Sequence, residues 1–336
     1  MCRGAVWAIA CLLPSCAPAT AQERGPFTAT ELFAFHNDLR VNLHHFLVNW
    51  ASAEARRRPR YAPPLREREQ GLEALTRSDR DTWTRAVAAY SRAVGRSYIF
   101  DEGMVAVRDA AAGIAPPAAV PADDRVLLEA LDEALDVYRT YWWPAHQERN
   151  RAWIAGLVPV LKQVEGGIAR RLQAAYGGTW PEEPVRVDIV FYANDDGAYS
   201  IGGVITVGSG DEANRMPQAV EIIFHESSHT DPLELSLREL VARAFRAEGL
   251  EAPDRLWHDV IFYTTGEATR LEFAREGLGD YRHYGSFGVY RRGERWTRQL
   301  AALGAAWRPF LESERADAEA RDRAMQSVAR ALEGGL

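Results

Sequence analysis

Only one stretch of this chain, residues 185–208, is dense in β-branched and aromatic residues at strand spacing. Most of the remaining pattern repeats at helical period. So little strand implies a mainly α fold with a small β-sheet, an α+β architecture. Residues 185–193 read as a strand bounded by Pro184 and by the turn Asn194-Asp195-Asp196-Gly197. Residues 198–208 read as a second strand, in which Gly202-Gly203 marks a bulge or the close approach of another backbone.

Around this core the helices can be placed by their apolar residues. Leu32, Phe35, Leu39, Leu43, Phe46 and Trp50 recur at helical spacing and predict an amphipathic helix over about 30–50. A proline- and arginine-rich stretch at 56–68 breaks the pattern before a second helix at about 70–94. The Ala- and Pro-rich residues 111–123 read as a long loop. Helices at about 124–143 and 149–176 follow, separated near Pro144, and Gly177-Gly178 stops the second. Helix resumes near Gln218.

The first residues have a different character. Arg3, an apolar run at 5–13 and the small residues Ala19-Thr20-Ala21 form the pattern of a secretory signal peptide, cut after Ala21. The mature protein is then expected to be secreted or periplasmic. A rival reading takes Leu13-Pro14-Ser15-Cys16 as a lipoprotein site with a lipid anchor on Cys16, which Pro14 fits poorly. No later stretch approaches transmembrane length. The formal net charge is −7 and there is no basic run, which argues against nucleic acid as a partner.

All three cysteines, Cys2, Cys11 and Cys16, fall in the leader, so the mature chain has no thiol. Any metal site must therefore use imidazole and carboxylate groups, a donor set suited to catalytic zinc. His225-Glu226-Ser227-Ser228-His229 supplies the first two donors. On a helix, residues four apart lie about 40° from alignment and one turn from each other, so both imidazoles reach one ion. Glu226 points about 100° aside, where it can take a proton from a water rather than bind the metal.

A catalytic zinc takes three protein ligands and keeps one open position. Glu267 is the candidate for the third. It falls on the apolar stripe Leu256, Val260, Tyr263 and Leu271 of a helix at about 255–275, where an unpaired carboxylate is costly. Arg270, three residues on, offers an ion pair instead. Asp231, Glu234 and His258 rank lower as ligands; His258 is nine positions from Glu267, half a turn out of alignment.

These residues resemble the zincin metallopeptidases, in the gluzincin-like branch whose third ligand is a glutamate. The resemblance covers about 149–290 and includes a helix, strands, the H-E-x-x-H helix and a later helix carrying Glu267. It implies a helical region at 22–146 preceding a zincin-like domain at 147–336. It also implies zinc on His225, His229 and Glu267, Glu226 as general base, and peptide or protein substrates laid along the 198–208 strand. An oxyanion donor after the third ligand is expected within Tyr281-Arg282-His283-Tyr284-Gly285, with Tyr284 favoured and His283 next. The chain departs from the thermolysin-like pattern by lacking an asparagine before Glu267, and from the metzincin pattern by having Pro232 in place of a glycine.

An exported helical binding or scaffold protein with an inactive zincin fold is the alternative, although the retained Glu226 favours turnover. A cell-wall or other amide would suit the same chemistry. His36, His44 and His45 form a second histidine group. Two turns separate His36 from His44, too far for one ion, and the group reads as half-buried helix histidines.

Overall fold

The computed structural model describes residues 26–54, 65–94, 99–194, 197–291, 293–313 and 317–333. The leader read at 1–21, with its three cysteines, lies outside them. Five short strands form one mixed sheet: β1 (Thr28–Ala29), β2 (Phe33–His36), β3 (Val185–Val190), β4 (Ala198–Ile201) and β5 (Val204–Gly208). Their order is β1-β2-β3-β5-β4, with β2, β3 and β5 parallel and the two edge strands antiparallel.

The sheet corrects two of the expectations. Residues 198–208 are a hairpin rather than one bulged strand. Gly202 and Gly203 both have positive φ, 61° and 75°, as a two-residue turn between right-twisted strands requires. Leu32 and Phe35 are not helical. Phe33 and Phe35 alternate into the core from β2, which pairs Phe35 with Val187, and the helix starts only at Leu39. There the Asp38 carboxylate accepts the backbone N–H of Arg40 and Val41 at 2.7 and 3.1 Å.

Helices α1 (Leu39–Glu54), α2 (Leu65–Ala74), α3 (Arg77–Val94), α4 (Glu102–Ala111) and α5 (Arg125–Tyr141) make up the N-terminal half. The helix expected at 70–94 is two helices. Thr76 divides them by accepting the Asp79 N–H and donating to its carboxylate. Helix α6 (Trp143–Tyr176) is 34 residues long, about 50 Å. Pro144 opens it rather than interrupting it, because a proline is tolerated in a first turn. Gly177, with φ 80°, ends it.

Helices α7 (Gln218–Ser227), α8 (Asp231–Ala247), α9 (Leu256–Arg275), α10 (Glu294–Ala302), α11 (Arg308–Glu312) and α12 (Ala318–Glu333) complete the chain. No described helix is long and apolar enough to cross a membrane.

Two cores result. One joins α1, α3, α4 and α5 around Phe46, Trp50, Trp83 and Trp142. The other packs the sheet among α6 to α9 and the C-terminal helices, and it includes Phe33 and Phe35. Strand β2 thus ties the N-terminal half into the second core. The edge strand β4 lies where the two meet, since its Tyr199 packs in the first core and its Ala198 in the second.

Candidate metal centre

Helix α7 is buried along nearly its whole length, and three of its buried residues are Glu221, His225 and Glu226. Ionisable side chains in such a place need partners or a use. The helix ends at Ser227, so the second half of the H-E-x-x-H motif lies on the turn into α8 instead of inside one helix. The His229 N–H still bonds the Glu226 carbonyl at 3.2 Å, and this tight turn brings the two imidazole centres to 5.2 Å. Pro232 starts the next helix.

Helix α8 then fixes the second imidazole. Nδ1 of His229 lies 2.6 Å from Oε2 of Glu234, whose other oxygen accepts from Arg238 Nε at 2.7 Å. With Nδ1–H donating to a carboxylate, the Nε2 lone pair is left for an ion. Burial pushes the Glu234 carboxyl up, but the hydrogen bonds from His229 and Arg238 outweigh it and hold it below its ordinary range. Glu234, a lower-ranked ligand candidate in the sequence, is the partner that orients His229.

The third imidazole comes from the first turn of α9. The His258 ring centre is 5.3 Å from that of His225 and 5.2 Å from that of His229. One ligand atom from each of the three lies within 4.8 Å of the others. Tetrahedral bonds of about 2.0–2.1 Å to zinc place ligand nitrogens about 3.3 Å apart, inside that limit. Three histidines therefore lie close enough to bind one metal ion.

Glu267 does not join them. It is nine residues further along α9, a rise of about 13 Å, where its carboxylate meets Arg270 at 2.7 Å, Arg308 at 3.1 Å and His283 at 3.5 Å. Its charge is compensated by cations of the protein, the arrangement that Arg270 had offered as the alternative. The structure groups His258, and not Glu267, with His225 and His229. The sequence argument set His258 aside for being out of line with Glu267, and that same misalignment lets it face α7.

Electrostatics favour lone-pair donors here. Burial, followed by the nearness of His229 and His258, holds His225 well below the usual imidazole range. Burial, then His229 and Arg255, lowers His258 to about 3. Both rings are neutral at pH 7. Nδ1 of His225 is buried without a hydrogen-bond partner among the described residues, and the Phe262 ring closes over this imidazole at 3.9 Å.

The three histidines open into a cleft of about 500 Å³ that Glu226, Ser200 and Tyr284 also line. The Ser200 hydroxyl on β4 lies 2.9 Å from Glu226 Oε2 and 2.8 Å from its carbonyl. Tyr284 is held from behind. Its backbone N–H donates to Glu221 Oε2 at 2.7 Å, and the Tyr281 hydroxyl donates to the same oxygen at 2.6 Å. Burial raises the Glu221 carboxyl to about 8, so it keeps its proton at neutral pH.

The remaining candidates lie apart from the metal cluster. His283 packs over Gly266 beside Glu267, and the Tyr290 hydroxyl donates to the Phe262 carbonyl at 3.2 Å. His44 and His45 are fully buried, against Tyr90 and Tyr199, while His36 is on β2 and not on a helix. No protein-family model, no curated protein and no solved structure matches this chain.

Proposed function

We propose that this chain is a zinc-dependent hydrolase that cleaves peptide bonds, with His225, His229 and His258 as ligands and Glu226 as general base. The convergence of three imidazoles in a cleft that also holds the motif glutamate carries this reading. Three nitrogen donors with one position open suit catalytic zinc better than a closed structural site. A zinc ion held by these three residues would supply Lewis acidity and make a water more acidic.

The protein's own groups do the rest. Glu226 takes the proton of the attacking water and returns it to the departing amine. The Ser200 hydroxyl steadies that carboxylate, and Glu234 holds His229 in the tautomer whose Nε2 is free to ligate. Tyr284, on the facing wall, offers its hydroxyl to the oxyanion that develops at the carbonyl. Strand β4 is an edge strand lining the cleft, so an extended peptide can pair with it as an added strand, which favours peptides over other amides. The secretory pattern in the sequence at 1–21 supports an activity outside the cytoplasm. The proposed chemistry is that of the zincins, but with a histidine as third ligand the glutamate branch is not retained.

Protein purified without chelator should contain about one zinc per chain. The Glu226→Gln variant should keep that zinc while kcat falls at least ~100-fold, because an amide cannot accept the proton. Absence of any stoichiometric metal, together with no uptake on titration, sinks the metal reading. Near-normal turnover by Glu226→Gln sinks the assignment of the base.

A further inference from the structure

Arg255 lines the cleft beside His225, Glu226, His229 and His258. Among the described residues its guanidinium has no hydrogen bond or close ion pair, although its charge acts on His258 and Asp259 from further off. The neighbouring arginines are engaged: Arg238 bonds Glu234 and lies over the Trp257 ring, and Arg295 pairs with Asp259.

The backbone at Arg255 is also unusual. With φ 61° it is the one non-glycine residue in the left-handed region among the described residues. A side chain there costs about 1–2 kcal/mol relative to glycine. Strain of this kind at a cleft points to a use for the side chain. The Arg255 carbonyl accepts the N–H of His258 at 3.0 Å and of Asp259 at 3.2 Å, which fixes the residue one turn from the third imidazole.

Charge narrows what this cation meets. Glu226 and Glu234 face the same cleft, and the whole chain carries −7, so an anionic ligand is repelled unless a local cation receives it. Phe100 and Phe287, two of the few large exposed apolar side chains, stand at the rim of the same cleft and suit a bulky apolar neighbour.

We propose that Arg255 is a carboxylate-binding residue of the cleft, selecting peptides that carry an acidic group near an apolar residue. A guanidinium receives a carboxylate through two parallel N–H bonds, whether it comes from an acidic side chain or from a free C-terminus. The choice of peptides as the ligand rests on the hydrolase reading; the binding of a carboxylate does not.

The test uses four peptides and the mature chain, titrated by calorimetry without metal and assayed for cleavage with zinc. Ac-Ala-Phe-Ala-Glu-amide against Ac-Ala-Phe-Ala-Gln-amide probes the side chain. Ac-Ala-Phe-Ala with a free C-terminus against its amide probes the terminal carboxylate. In at least one pair the acidic member should bind about 10-fold more tightly, and the pair that discriminates identifies the source of the carboxylate.

The Arg255→Gly variant removes the charge and relieves the backbone, so it should stay folded and keep its zinc. Its preference should shrink to less than about 2-fold, whereas Arg255→Lys should retain part of it. No preference in either pair, no measurable binding, or a preference that survives Arg255→Gly overturns the proposal. Charge-dependent binding without cleavage of any peptide upholds it and overturns the hydrolase reading alone.

Discussion

On α9 the half-buried His258 and the buried Glu267 compete for the same role, and their partners decide between them. His258, a neutral ring, faces two other imidazoles and keeps its lone pair for an ion, while the Glu267 carboxylate already has two arginines, with the His283 ring at 3.5 Å. His258→Ala should therefore weaken zinc binding by well over 10-fold, since even the loss of outer partners is felt on a 10- to 100-fold scale. Glu267→Ala should leave zinc affinity nearly unchanged and instead destabilise the fold by about 1–3 kcal/mol, less than a fully buried pair because both arginines are partly in water. Chelator titration with denaturant melts separates the two; loss of zinc only in Glu267→Ala would reverse the assignment. His225, Glu226 and His229 were legible in the sequence because four-residue spacing is local. The place of His258 beside them was not, since which turn of α9 reaches the end of α7 is set by packing between helices.

Among the elements, those whose start has a local cause were readable. Helix α9 was placed within a residue, and α6 was stopped where Gly177-Gly178 predicted it. Leu32, Phe35 and Leu39 satisfy helical spacing by accident of a strand leading into a helix, and only the Asp38 cap reveals the join. The Gly202-Gly203 pair carried the hairpin signal but was read as a bulge. Another glycine shows how closely two elements meet. A Cβ on Gly266 would lie 2.6 Å from the His283 ring, in the segment that brings Tyr284 to the cleft. Gly266→Ala should therefore push this wall aside, costing about 1–3 kcal/mol of stability and lowering kcat/KM about 10-fold, with zinc content unchanged. An unaltered melt and unaltered kinetics would show that the wall yields freely.

For the whole molecule, the cleft depends on charges that folding removes from water, and the direction of each shift sets how stability follows pH. Glu221 has an ordinary value of 4.5 and is raised by burial to about 8 in the folded chain. Between those values the folded state holds a proton that the unfolded state has lost. Stability from this group is thus complete below about pH 4.5 and declines as pH rises through 8. His225 and His258 act in the opposite sense: their folded values lie below the ordinary 6.5, so their contribution is present above that pH and is lost on acidification. His36, His44, His45 and His283 are lowered in the same way, so the histidines together oppose Glu221 even above pH 7, and Glu221 is read from the difference between two proteins that share them. In urea unfolding without metal, the stability of the chain relative to its Glu221→Gln variant should fall by about 1–2 kcal/mol between pH 7 and 8.5, from a limiting slope of about 1.4 kcal/mol per unit. Glu221→Gln keeps the shape and still accepts from the Tyr281 hydroxyl and the Tyr284 N–H, but it has no proton to lose, so its profile keeps only the contribution of the histidines. The same slope in both proteins would mean that Glu221 is ionised in the folded chain, and the neutral anchor behind Tyr284 would have to be abandoned.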